Sequence, residues 1–218
     1  ATMASLLKAQ GYATGAVLGS AVLDSRFGLN QGFDFYYDHF DFSRLQEANL
    51  DEMERPGNVV VDQALEWLKG HAQKKFFLWV HLYDPHAPYD PPEPYKSRYA
   101  GRPYDGEIAW TDSLVGRLLD ELKQLDLTKN TVIAVLADHG ESLGEHGEHG
   151  HGYFVYEQVT HIPLILATPY SRTHGRVVAS VVRSIDVAPT VLDLLGFAGT
   201  LPGAGSSLVP MLSGALAE

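Results

Sequence analysis

Cysteine is absent from the 218 residues, which excludes disulfides, thiolate metal ligands and a cysteine nucleophile within the chain. Long apolar runs are missing too. The cleanest, residues 131–137 (TVIAVLA) and 162–167 (IPLILA), fall far short of the ~20 residues that cross a bilayer. Positive charge is scarce, with 16 Lys and Arg against 27 Asp and Glu for a net −11, so there is no broad basic field to hold nucleic acid. Internal repeats, low-complexity tracts and a linker are also lacking, which predicts a single domain over residues 1–218. What is present is 45% hydrophobic and 20% charged, a globular balance with enough apolar material for a sizeable core.

Strand and helix patterns alternate along the chain, as in a layered α/β domain. Residues 3–10 read as a helix with Met3, Leu6 and Leu7 at helical spacing, stopped by Gly11. A strand is predicted over 12–18, then an aromatic, glycine-rich excursion over 19–56 whose segment 33–42 either lines a cleft or covers a sheet. Residues 59–71 form a helix with Val60, Ala64, Trp67 and Leu68 in one stripe. Residues 76–82 (FFLWVHL) and 131–137 are continuous enough to be interior strands covered on both faces. Between them lie a loop over 84–94 with five prolines and the longest helix, 104–125. On that helix Ile108, Leu114, Val115, Leu118, Leu119 and Leu122 share a side. A Gly/His/Glu loop over 140–152, strands over 162–167 and 177–182, a helix over 189–195 closed by Gly196, and a loop-rich tail complete the prediction. The chain opens at Ala1, without a charged-then-apolar leader, and enters a helix at once; further sequence is expected upstream, and no compartment is implied.

Histidine carries the chemical signal. Four of the ten histidines, His139, His146, His149 and His151, crowd one loop that begins with Asp138 directly after a predicted strand. Open α/β sheets bind ligands at the carboxyl ends of their strands, and an Asp-His pair there offers a carboxylate oxygen and an imidazole nitrogen to one divalent cation. A solvated polar loop carries the same composition, and Glu141, Glu145 and Glu148 are read as its acidic, water-facing members. His86 leaves the other predicted strand between Pro85 and Pro88, which stiffen its loop and aim its ring at an anion or a leaving group. His81 reads as a core histidine, Asp112 as an ion-pair or capping partner in its helix, and Asp186 as a helix N-cap residue.

The run LADHGESLGEHGEHGHGYFVYEQVTHIPLIL (residues 136–166) resembles the sulfatase family of the alkaline-phosphatase-like superfamily. So do FFLWVHLYDPHAPYDPP, YDGEIAWTDSLVGRLLDEL, VRSIDVAPTVLDLLG and GSSLVPMLSG, in that order, and the opening LLKAQGYATGAV and LDSRFGLNQGFDFYYD. The resemblance implies a three-layer α/β/α sandwich with a mainly parallel sheet, N-terminally incomplete, and a metal-dependent hydrolase of small sulfate esters. Asp138 and His139 match the family's downstream metal pair, which implies a divalent cation, Ca²⁺ first with Mg²⁺, Mn²⁺ or Zn²⁺ as alternatives. His86 matches the histidine that contacts the sulfuryl group or assists the leaving oxygen. His151, with His149 as its rival, stands where many members carry a lysine. Together Asp138, His139, His86 and His151 are expected to share one catalytic face.

The resemblance also implies what is missing: a C/S-x-P-x-R nucleophile motif and a second pair of aspartates, both upstream of Ala1. The segment Thr168-Pro169-Tyr170-Ser171-Arg172 has the wrong spacing and follows the wrong strand. The chain by itself is therefore expected to bind metal weakly and to be inactive. Alternatives of the same fold are a phosphodiesterase or phosphonate hydrolase, or a non-catalytic anion-binding relative.

Overall fold

A computed structural model describes residues 1–44, 53–169, 175–203 and 205–212, and divides into two compact units, Ala1–Thr128 and Lys129–Glu218. The segment 170–172 lies outside the described residues, as do residues 213 and 214 of the last matching motif.

The first unit is built on three parallel strands in the order β2-β1-β3, with β1 Ala13–Leu18, β2 Phe35–Tyr37 and β3 Phe76–His81. Register aligns Val17 with Tyr37 and Val80, and neighbours in a row project to the same face. That face packs on α2 (Gly57–His71), where Val17, Val60 and Ala64 form a core with Phe35, Tyr37, Leu78, Val80 and Leu82 around them. Val17 and Val60 are fully buried, each worth about 1.5–3 kcal/mol of hydrophobic stabilisation. The alternate residues point the other way, where Phe33 stacks on Phe77 and Trp79 at centroid distances of 5.7 and 6.1 Å. The aromatic segment therefore covers both sheet faces. α1 (Met3–Ala9) is capped by Thr2 and ends before Gly11, whose φ of 82° is the left-handed stop that its sequence implies.

Two expectations shift here. The interior strand of this sheet is β1, with Ala16, Val17 and Leu18 at 0% exposure; β3 pairs on one side, and its residues are only partly buried. Apolar continuity reports burial on the two faces and says nothing about hydrogen-bonded neighbours at the edges. The short strand β2 also lay unmarked inside the aromatic excursion, since three residues cannot display an alternation.

After α3 (Tyr95–Arg98) comes α4 (Pro103–Gln124), which buries Gly106, Glu107, Leu114 and Leu122 and packs on α2. Ile108 and Leu119, predicted to share the buried side, are 45% and 42% exposed. The buried line runs through Glu107 instead.

In the second unit, β4 (Ile133–Leu136) pairs antiparallel with β7 (Leu164–Ala167). Residues 140–152, predicted as plain loop, contain a two-residue hairpin of β5 (Ser142–Leu143) and β6 (His149–Gly150). Two short helices, α5 (Glu157–Thr160) and α7 (Val209–Leu212), flank α6 (Val187–Leu194) in sequence. The predicted strand over 177–182 does not form. Val177 and Val181 are 85% and 95% exposed, and β-branched residues make a strand only where a partner strand and a face receive them.

Candidate active site

His86 lies in the proline-rich loop five residues beyond β3. Its Nδ1 is 2.8 Å from the Ala87 carbonyl, which can only accept, so this nitrogen carries the proton. Nε2 then accepts from the Tyr83 hydroxyl at 2.9 Å, and the two rings stack at 4.1 Å. The ring is thus held in one tautomer and one plane, with Nε2 on the Tyr83 hydroxyl. The backbone is held as firmly: the His86 and Asp90 amides donate to the two oxygens of Glu107 at 3.1 and 2.6 Å.

The second loop leaves β4 two residues before Asp138. The Asp138 carboxylate accepts from the His139 amide at 2.9 Å and remains exposed. His139 donates from Nδ1 to the Gly140 carbonyl at 2.8 Å, which leaves its Nε2 lone pair free for a Lewis acid, 3.8 Å from Asp138 Oδ2. The His151 ring sits 4.0 Å from the His139 ring, and its Nδ1 is 3.3 Å from Glu141 Oε1, a carboxylate with only 5% of its side chain exposed. The structure thus brings Asp138, His139 and His151 together. His149 is an exposed residue of the hairpin, its ring placed against Gly144.

Local packing explains the loop's path. The Gly140 amide donates to the Val159 carbonyl at 2.7 Å, and a Cβ at Gly140 would lie 2.0 Å from the Gln158 carbonyl oxygen. Glycine is required there by the approach of α5 rather than by a sharp turn. Ser142 Oγ, fully buried, bonds the Glu145 and Glu148 carbonyls at 3.2 and 3.0 Å and closes the hairpin. The acidic residues are not simply water-facing: Glu141 orients His151, Glu145 accepts from the Leu143 amide at 2.7 Å, and buried Glu148 accepts from the Phe154 amide at 3.3 Å.

As a donor set, Asp138 and His139 fit a hard-to-borderline divalent cation: one anionic oxygen and one imidazole whose tautomer is fixed for coordination through Nε2. Among the described residues no group of three or more His, Asp or Glu is gathered around a metal-sized space, so these two alone are an incomplete set.

Elsewhere, Asp186 stands at the N-cap of α6 as expected, but its side chain makes no bond to that helix. It grips Arg183 through a two-pronged ion pair and accepts from the Arg183 and Ser206 amides, while Thr190 Oγ1 donates to its carbonyl at 2.6 Å. The Arg183 guanidinium first, and the Ser206 amide next, bring its carboxyl down to about 2. Asp112 is exposed on α4, and His81 ends β3 partly buried. The residue that sequence reasoning missed is Glu107. Its signal was an acid seven residues before Leu114 on an otherwise largely apolar helix face. Burial pushes its carboxyl up to about 7, against the two amide bonds that favour the anion.

A family model described as Sulfatase matches residues 1–197. Arylsulfatase K of Homo sapiens is 31% identical over 170 residues, 72% of this chain and 31% of that protein. N-acetylglucosamine-6-O-sulfatase of Bacteroides thetaiotaomicron is 34% identical over 111 residues, 51% of this chain and 20% of that protein. The chain spans about a third or less of the length of these curated relatives. Phosphonate monoester hydrolase of Agrobacterium radiobacter superposes with a TM-score of 0.79 at 20% identity, covering 98% of this chain and 62% of that one. A protein solved in complex with its substrate D-glucosamine-2-N,6-O-disulfate superposes with a TM-score of 0.77 at 21% identity, covering 97% and 64%. Together with a likeness to an alkaline phosphatase superfamily member from Vibrio parahaemolyticus, at a TM-score of 0.69, these superpositions establish an alkaline-phosphatase-like α/β fold.

Proposed function

The chain belongs to the sulfatase family, and from that premise we propose that it contributes catalytic and metal-binding residues to a sulfuric ester hydrolase. The single observation that carries the reading is the Asp138–His139–His151 arrangement after β4, where one tautomer-fixed imidazole and one exposed carboxylate lie beside a second imidazole. The substrate class is a small sulfate ester, with aryl sulfates and sulfated amino sugars suggested by the relatives' names.

In this reading Asp138 and His139 hold the cation, which supplies charge neutralisation to sulfate oxygens. Sulfatases are in general metal-dependent. Ca²⁺ is the proposed ion, and the imidazole donor also suits Mn²⁺ or Zn²⁺. His151, oriented by Glu141, donates a hydrogen bond to a sulfate oxygen, a pH-dependent counterpart of a lysine. His86 acts on the leaving oxygen. After Nε2 takes up a proton, the imidazolium passes it to the leaving oxygen as the S–O bond breaks and the alcohol departs, and the Nδ1 bond to Ala87 keeps the ring aimed throughout. The phosphonate and phosphodiester alternatives rest on fold likeness alone and are not favoured, since the relatives by sequence are sulfatases.

The test is turnover of an aryl sulfate by the natural full-length protein with added Ca²⁺ or Mn²⁺. Activity should disappear on chelation and in Asp138→Ala. Undiminished turnover in Asp138→Ala would remove the metal assignment, faster cleavage of an aryl phosphonate would favour the alternative chemistry, and no turnover of either ester would favour the non-catalytic relative.

A further inference from the structure

The loop that carries His86 has few ways to be held. It forms no strand pairs, and five prolines among the eleven residues 84–94 remove nearly half of its amide donors. Two of the donors that remain, His86 N and Asp90 N, both end on one carboxylate, Glu107 of α4. One turn on, Thr111 Oγ1 donates to the Asp84 carbonyl at 3.1 Å. At Gly106 the loop comes so close that a Cβ would lie 2.8 Å from Pro91 Cγ. Gly106, Glu107 and Thr111 thus form a short seat on α4, and Glu107 is its only charged member.

A buried carboxylate is a costly choice for simple adhesion, and Glu107 is 3% exposed. Its neighbours offer no relief: Asp84 and Glu54 act on it as like charges, and burial raises both of those carboxyls as well. What a carboxylate does better than a neutral side chain, and what Glu107 does once it releases its proton near pH 7, is accept from two amides at once, one on each oxygen. One of those amides is His86's own and the other lies four residues on, so the carboxylate fixes the backbone from which the His86 ring projects.

We propose that Glu107 is a positioning residue for His86, aligning its imidazole with the leaving oxygen of the sulfate ester. The proposal rests on the reading of His86 as the group that assists that oxygen. An amide at position 107 keeps the size and one acceptor but turns its NH₂ toward a backbone donor, so one of the two holds is lost. A misplacement of this kind costs on the order of 10–100-fold where proton delivery limits the rate.

The test uses the natural full-length protein with sulfate esters of good (nitrophenyl) and poor (alkyl) leaving groups. Glu107→Gln should lower kcat about 10-fold or more on the poor leaving group and a few-fold on the good one, with KM unchanged. The same substitution made in His86→Ala should add nothing further, and Glu107→Asp should recover part of the loss. The ring resonances of His86, followed by NMR in Glu107→Gln, should shift while the thermal midpoint and circular dichroism confirm a folded protein. An equal loss on both esters that tracks a lowered midpoint, or a full additional loss in the His86→Ala background, would overturn the proposal. If His86→Ala itself lacks the leaving-group signature, the reading of His86 fails. If His86→Ala shows it and Glu107→Gln does not, only the role of Glu107 fails.

Discussion

Both loops that carry the proposed chemistry leave the carboxyl end of a strand, yet they are held by opposite means. The loop after β3 has no internal pairing and hangs its backbone on a buried carboxylate of α4. The loop after β4 holds itself, through a two-residue hairpin and the buried hydroxyl of Ser142 bridging two of its own carbonyls. The first arrangement ties the ring of His86 to the packing of a helix. The second ties His139 and His151 to short-range bonds within about a dozen residues, with Gly140 fitted under α5. Proline contributes to the difference: a loop that has lost five of its eleven amide donors pairs poorly with itself and borrows a partner.

The largest expected separation is in turnover. In the natural full-length protein His86→Ala should lower kcat by about 10²–10⁴-fold, the range for a general acid, whereas His151→Ala should act mainly through KM; equal kcat losses would erase the distinction between the loops. In folding, Leu114→Ala, at 0% exposure on the α4 face that seats the first loop, should cost about 2–5 kcal/mol in denaturant unfolding. Ser142→Ala in the second loop should cost about 1–3 kcal/mol, the penalty for two stranded carbonyls.

The pH dependences should run in opposite directions. Glu107, raised to about 7 by burial, holds its proton in the folded state over a range where the unfolded chain has released it. Its contribution is fully present below about pH 4.5 and is lost as pH rises through 7, an upper bound of about 3 kcal/mol. Glu107→Gln should flatten that limb of a stability–pH curve. Asp186, brought down to about 2 chiefly by Arg183, contributes above pH 3.8 and loses that contribution as pH falls through 2. Asp186→Asn should therefore blunt only the acid limb. The smallest effect expected is Tyr83→Phe, about 0.5–1.5 kcal/mol or a few-fold in kcat, from loss of the hydroxyl that His86 Nε2 accepts. No change at all there would mean that the Ala87 bond alone fixes the ring.

Much of this was legible in residue order. Apolar spacing marked α1, α2 and α4, punctuation by Gly11 and the prolines marked their ends, and the ADHG and DPHAP segments marked the two loops. These are local properties, encoded within a few turns of chain, and an imidazole beside a carboxylate is chemistry that any fold would have to accommodate. Pairing was not legible. That β1 rather than β3 is the interior strand, that β2 exists, and that residues 177–182 remain unpaired despite four valines all depend on which strand lies beside which. The same holds for Glu107 and Glu141. In sequence they are two of 27 acids, interchangeable with any surface carboxylate. Only the folded backbone brings one beneath the amides of His86 and Asp90, 17 to 21 residues away, and the other against His151 across its own loop, because burial and hydrogen-bond partners are set by the path of the chain in space.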